Sequence, residues 1–149
     1  MNANIPEAEL TGMIIQAAIE VHRTLGPGFL ESIYEESLGV ELRHLGLKFA
    51  RQIPVTLQYR GQRVGEHRLD LVVEGKIVVE LKAVSSLEPV HFAIVRSYMK
   101  AIDLSVGLLL NFAAMPLTIK RVARERSHEP PDPTHPPTAD CPFPNSLNS

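Results

Sequence analysis

The chain has 149 residues, 44% hydrophobic and 21% charged, an ordinary globular profile with length for one domain and a buried core. No stretch approaches the roughly 20 apolar residues that cross a bilayer, and Met1-Asn2-Ala3-Asn4-Ile5-Pro6-Glu7 lacks the basic-then-apolar order of a signal peptide; a cytoplasmic location is the expectation. The formal net charge is -2, and without residues 127–149, which carry Glu129, Asp132 and Asp140 but no Lys or Arg, 15 basic residues face 14 acidic ones. That excludes a strongly basic nucleic-acid binder and leaves only a local, salt-sensitive patch for such a partner.

Two helices open the chain. Leu10, Ile14, Ala17, Ala18, Val21 and Leu25 recur at helical spacing over roughly Glu7 to Leu25, and Leu25-Gly26-Pro27-Gly28 breaks the pattern. A second helix runs from about Leu30 to His44, with Ile33, Leu38, Leu42 and Leu45 as its core stripe and Gly46 as its stop. Its first turn holds Glu31 and Tyr34, three apart and so on one face. Glu31 suits the helix dipole there with or without a functional role, and Tyr34 is equally readable as a half-buried core aromatic.

A β region follows. Leu47 to Ile53 and Val55 to Tyr59 read as short strands around Pro54, which points to an edge or an irregularity, and Arg60-Gly61-Gln62 reads as a turn. Two strand-like runs come next, Arg68-Leu69-Asp70-Leu71-Val72-Val73 and Lys76-Ile77-Val78-Val79-Glu80-Leu81-Lys82, joined by Glu74-Gly75. Side chains alternate faces along a strand, so Glu80 and Lys82 share one. Asp70 joins them only if the hairpin register is odd, through a three-residue connection or a bulge; a plain two-residue turn would send it to the opposite face. Two carboxylates and an ammonium converging on an apolar sheet make a small site for a divalent cation and a water, as in a metal-dependent phosphodiesterase. The alternative is a surface ion pair of little energetic worth.

Pro89 opens a third helix, about 89–102, with Val90, Ala93, Ile94, Val95 and Met99 as its apolar residues. Arg96 and Lys100 are i, i+4 neighbours able to meet a phosphate backbone, unless that face is merely solvated. Val106 to Phe112 is a continuous apolar run suited to a buried strand, with one more strand from Leu117 to Ala123. Lys120, Arg121, Arg124 and Arg126 form the densest basic cluster. From Ser127 onward seven of the chain's 12 prolines crowd into 23 residues, so a disordered tail is expected after a folded domain of 1–126. Cys141 stands alone in that tail, which rules out a disulfide framework, and the six His residues lack metal-ligand spacing, so zinc is not expected. The element order gives an α/β fold with a mixed sheet flanked by helices.

Gly28-x-x-Glu31-x-x-Tyr34, preceded by Glu20-Val21-His22 and Leu25-Gly26-Pro27, resembles the bacterial family named for its GxxExxY motif, a branch of the PD-(D/E)XK nuclease superfamily. Asp70, then Val79-Glu80-Leu81-Lys82-Ala83-Val84, His91 and Tyr98, and Gly107 to Phe112 match its later landmarks, so the likeness covers about residues 13 to 124. The resemblance implies a nuclease-like mixed sheet and a Mg²⁺- or Mn²⁺-dependent DNA nuclease. Asp70 and Glu80, with the Leu81 carbonyl, would bind the metal. Lys82 would position or deprotonate the attacking water, and Glu31 would complete the acidic site. Tyr34, Tyr98, Arg96 and Lys100 are the candidate substrate contacts. DNA is the expected partner, and a C2 homodimer is the simplest route for one site per chain to cut both strands. Two departures stand out: Ile94 where many relatives carry Gln, and Ala113 where glycine usually follows the Asn-Phe pair. They keep open a second reading, a nuclease-fold module that binds nucleic acid or protein without turnover.

Overall fold

The fold was obtained as a computed structural model, and its described residues are 4–124. The tail expected from Ser127, and with it the boundary at 126, Arg126 and Cys141, lies outside them.

Helix α1 (Glu7–Leu25) buries Leu10, Ile14, Ala17, Ala18 and Val21 along one face. Gly26, at φ +70°, then turns the chain, its N–H bonded to the His22 carbonyl. Helix α2 (Glu31–His44) ends where Gly46 takes φ +71°. The Gly46 N–H bonds the Arg43 carbonyl and the Leu47 N–H bonds the Leu42 carbonyl, each at 2.9 Å, which satisfies the last carbonyls of the helix. The buried stripe of α2 is Tyr34, Leu38 and Leu42, at i, i+4 and i+8. Ile33 and Leu45, expected in that stripe, are instead 42% and 37% exposed. Ile33 is one residue before Tyr34, about 100° around the helix, so the ring's burial turns Ile33 outward.

Five strands follow in the spatial order of the chain: β1 (Phe49–Tyr59), β2 (Gln62–Val73), β3 (Ile77–Lys82), β4 (Val106–Asn111) and β5 (Thr118–Ala123). All neighbours are antiparallel except β3 and β4, which are parallel and joined across the sheet by α3 (Pro89–Ala101). The expected mixed α/β architecture is therefore present. Pro54 lies inside one continuous β1 rather than between two short strands. It is tolerated because β1 is an edge, where a missing N–H need not cost a ladder bond.

Helices α1 and α2 pack on one face of the sheet against Leu71, Val73, Ile77, Val79, Leu81, Leu108 and Leu110. On the other face α3 packs Val95, Tyr98 and Met99 against Val72, Val78, Leu109 and Val122. Every residue of β4 is buried, which explains its unbroken apolar sequence.

The β2–β3 connection decides on which side of the sheet Asp70 falls relative to Glu80. Glu74 and Gly75 both take left-handed conformations, φ +52° and +63°, and the Lys76 N–H closes the turn on the Val73 carbonyl at 3.0 Å. Pairing nevertheless resumes at Val73–Ile77, then Val72–Val78 and Leu71–Val79. Lys76 is the extra residue that makes the register odd, and carried one rung further that register sets Asp70 beside Glu80. Among the described residues no helix is long and apolar enough to cross a membrane.

Candidate active site

The β2–β3 ladder stops at Leu71–Val79, whereas β3 stays paired with β4 as far as Lys82–Asn111. Where the two strands part, backbone donors need other acceptors, and two carboxylates supply them. The Asp70 N–H donates to Glu80 Oε1 at 2.9 Å, and the Leu81 N–H donates to Asp70 Oδ2 at 2.9 Å. Glu80 is only 4% exposed. Burial pushes the Glu80 carboxyl up to about 8, and the Asp70 charge adds to the rise. Asp70 is raised to about 6, again chiefly by burial, with Glu35 and Glu31 adding repulsion. The Leu81 N–H and the Lys82 charge pull the other way on Asp70. The two acids behave as one titrating pair.

Lys82 follows Glu80 on the same side of β3, and its charge favours the ionised form of both carboxyls. Glu31 reaches the site from the first turn of α2, its Oε1 accepting the Ala83 N–H at 3.2 Å just beyond β3. The structure thus brings Glu31, Asp70, Glu80, Leu81 and Lys82 together from α2, β2 and β3. The chain after β3 is held by Asn111, whose Oδ1 accepts the Val84 N–H at 3.2 Å while its Nδ2 donates to the Val84 carbonyl at 2.9 Å.

A cavity of about 290 Å³ opens between α2 and the base of the β1–β2 hairpin, lined by Glu31, Ser32, Glu35, Gln52 and Asp70. Three of its residues, Ser32, Glu35 and Gln52, escaped the sequence reading. Glu35, 6% exposed, accepts from Arg51 Nη2 at 2.9 Å and from Gln52 Nε2 at 2.6 Å. Gln52 has φ +51°, a left-handed position where β1 departs from regular pairing with β2. The signal for Glu35 was its i, i+4 spacing from Glu31. Nothing local marks Gln52, because its backbone conformation depends on the sheet.

The other candidates are dispersed. Tyr34 is completely buried, so the core reading of this aromatic describes its position. Its hydroxyl donates to the Gly26 carbonyl at 2.7 Å and accepts the Phe29 N–H at 3.1 Å, which pins the Gly-Pro-Gly turn over the start of α2. Tyr98 is 4% exposed, with its hydroxyl 3.1 Å from His67 Nδ1. Burial, then the charges of Glu80 and Asp70, drive its pKa upward. Arg96 and Lys100 are exposed on α3. His91 caps that helix, its Nδ1 accepting the Glu88 N–H at 2.9 Å, and Ile94 packs into the apolar cluster beneath it. Arg124 pairs with Asp103 at 2.8 Å, which draws it out of the basic cluster.

The family model of the PD-(D/E)XK nuclease superfamily matches residues 8–122. The chain belongs to this superfamily. No curated protein and no solved structure matches the chain. PD-(D/E)XK nucleases generally employ divalent metals. Among the described residues no three His, Cys, Asp or Glu side chains are grouped closely enough to hold a metal ion. The donor set is therefore two carboxylates with neighbouring backbone. That suits Mg²⁺ or Mn²⁺, hard cations that keep several waters and need one or two protein carboxylates. Burial holds both acids toward their neutral form, and a divalent cation bound between them would favour the ionised pair.

Proposed function

We propose that this protein is a divalent-metal-dependent nuclease that hydrolyses DNA phosphodiester bonds, in the GxxExxY branch of its superfamily. The observation that carries the reading is the interlocked Asp70–Glu80 pair, set beside Lys82 at the point where β2 and β3 part. Each carboxylate commits one oxygen to a backbone N–H, leaving the other to bind Mg²⁺ or Mn²⁺ together with the Leu81 carbonyl. The bound cation would lower the pKa of a coordinated water and offset charge developing on the phosphoryl oxygens. Lys82 would position the attacking water and help its deprotonation, its ammonium stabilising the hydroxide left as the proton passes to solvent. Glu31, anchored on the Ala83 N–H, closes the acidic side. Tyr98 bounds the site from α3, and Arg96 and Lys100 meet the phosphate backbone outside it. Tyr34 acts through the Gly-Pro-Gly turn and so through the position of Glu31. The folded domain of this reading is 1–126, and its partner is DNA, with a homodimer supplying one site per strand.

A second reading keeps the fold and binds nucleic acid or protein without turnover. It is favoured by Ile94, an apolar side chain packed in the core cluster at the position where many relatives carry Gln. Metal-dependent cleavage assays on plasmid and oligonucleotide DNA with wild type and Lys82→Ala separate the two. Cleavage lost in the variant with DNA binding retained is the expected result. Wild type that binds DNA but never cuts it with Mg²⁺ or Mn²⁺ establishes the second reading.

A further inference from the structure

Among the described residues four non-glycines have positive φ, and only Gln52, at +51°, lies inside a strand; Arg60, Glu74 and Asp103 are in turns. A side chain kept in that conformation asks for a use, because glycine would adopt it at lower cost. The place is specific. Arg51 pairs with Leu71 and Ile53 with Leu69, so Gln52 stands across from Asp70 where a rung of the ladder is missing. Both residues line the cavity of about 290 Å³. Gln52 is held at two points: its carbonyl accepts Arg68 Nη1 at 3.2 Å, and its Nε2 donates to Glu35 Oε1 at 2.6 Å. Glu35 is buried and its other oxygen accepts Arg51 Nη2 at 2.9 Å, so this carboxylate is itself fixed. A carboxylate paired with arginine only accepts hydrogen bonds. That dictates the orientation of the amide, nitrogen toward Glu35 and oxygen away from it. Among the described residues Gln52 Oε1 has no protein partner, on a residue that is exposed where it lines the cavity.

We propose that Gln52 is an outer contact of the cation held at Asp70: its carboxamide oxygen, oriented by Glu35, accepts a hydrogen bond from a water that the cation carries. The inference rests on the divalent-cation reading given above. Mg²⁺ and Mn²⁺ keep several of their waters when protein binds them, and the cavity has room for several. A water on a cation has committed its lone pair to the metal and can only donate, so the surrounding wall must supply acceptors. A carboxamide supplies one without adding charge to a wall that already carries Glu31, Glu35 and Asp70. Glu35 acts through Gln52 and is a positioning residue. The left-handed backbone is what seats the amide between Glu35 on α2 and Asp70 on β2, a place that regular pairing of β1 would not give it.

The test is Mn²⁺ binding to the full-length protein by isothermal calorimetry, with circular dichroism and melting in chelator as controls for folding. Gln52→Gly suits the backbone conformation, and Gln52→Met keeps the length of the side chain. Neither changes the charge of the site, so a loss of affinity reads the hydrogen bond alone. Each is expected to raise the Kd for Mn²⁺ about tenfold or more, the usual effect of losing an outer partner of a metal site. The exchanged pair Glu35→Gln/Gln52→Glu reverses donor and acceptor, keeps an oxygen for the cavity, and is expected to bind more tightly than either single variant. A folded Gln52→Gly or Gln52→Met protein that binds Mn²⁺ as tightly as wild type overturns the inference and leaves the nuclease reading standing. Wild type that binds no Mn²⁺, alone or beside DNA, overturns it together with the divalent-cation reading.

Discussion

Tyr34 and Phe112 stack with ring centroids 4.5 Å apart and an interplanar angle of 18°, joining the start of α2 to the residue that follows β4. The stack lies beneath the turn that delivers Glu31, and the Tyr34 hydroxyl holds that turn through two backbone groups. Removing only the hydroxyl separates packing from anchoring. Tyr34→Phe is expected to cost about 1–3 kcal/mol, because it strands the buried Gly26 carbonyl and Phe29 N–H. Tyr34→Ala, which also forfeits the stack, is expected to cost about 3–5 kcal/mol. Urea denaturation of both variants checks the order; equal losses would show that the stack adds nothing beyond the hydroxyl, and no loss in Tyr34→Phe that the hydroxyl contributes nothing.

Stability is expected to fall with rising pH in the presence of a chelator. The carboxyls of Asp70 and Glu80 are raised in the folded chain to about 6 and about 8, whereas in the unfolded chain they titrate near their ordinary values of 3.8 and 4.5. Between those limits the folded state binds more protons, so each pH increment favours unfolding. The destabilisation begins near pH 4 and is complete above about pH 8. Melting temperatures of wild type and Asp70→Asn/Glu80→Gln, measured from pH 4 to 9, isolate the pair. The variant should gain on wild type as pH rises; parallel curves would contradict the assignment.

A divalent cation reverses that trend by favouring the ionised pair. Isothermal calorimetry at pH 8 is expected to give saturable Mg²⁺ or Mn²⁺ binding to wild type and none to the double variant. At a hundredfold excess over Kd, binding to the folded state alone adds about 2.7 kcal/mol, which chelation should remove. Unaltered melting on addition of either ion would count against the site.

The contact of α3 with the sheet is tight at Gly107. A Cβ there would lie 2.9 Å from Met99 Sδ and 3.1 Å from Val95 Cγ1. Gly107→Ala is expected to destabilise by about 1–3 kcal/mol as α3 is pushed off β4. Met99→Ala in the same background should recover part of that loss, and a double-mutant cycle in urea measures the coupling.

Much of this was legible because periodicity reports burial directly. The ends of α1, the place of α3 and the identity of β4 follow from spacing and from Gly and Pro at the boundaries. Glu80 and Lys82 stood out because charge interrupts an apolar strand. What escaped depends on the third dimension. Ile33 and Leu38 are both apolar on α2, and only the packing of Tyr34 decides which of the two faces solvent. Nothing in the sequence separates Glu35 from a surface acid, since Arg51 and Gln52, the partners that allow its burial, are 16 and 17 residues away. The sequence left the hairpin parity open, because Glu74-Gly75 suits a two-residue turn as well as one followed by an extra residue.

That extra residue, Lys76, acts as a phase setter. Deleting one amino acid between Val73 and Ile77 would touch no member of the site and no part of the core. It would advance one strand half a pleat against its neighbour, so that Asp70 and Glu80 could no longer share a side without turning buried leucines and valines to water. The site is therefore guarded by a count of residues as well as by their identities. Single-residue insertions or deletions in this turn should be poorly tolerated, whereas substitutions at Lys76 that preserve the count should leave the carboxylate pair in place.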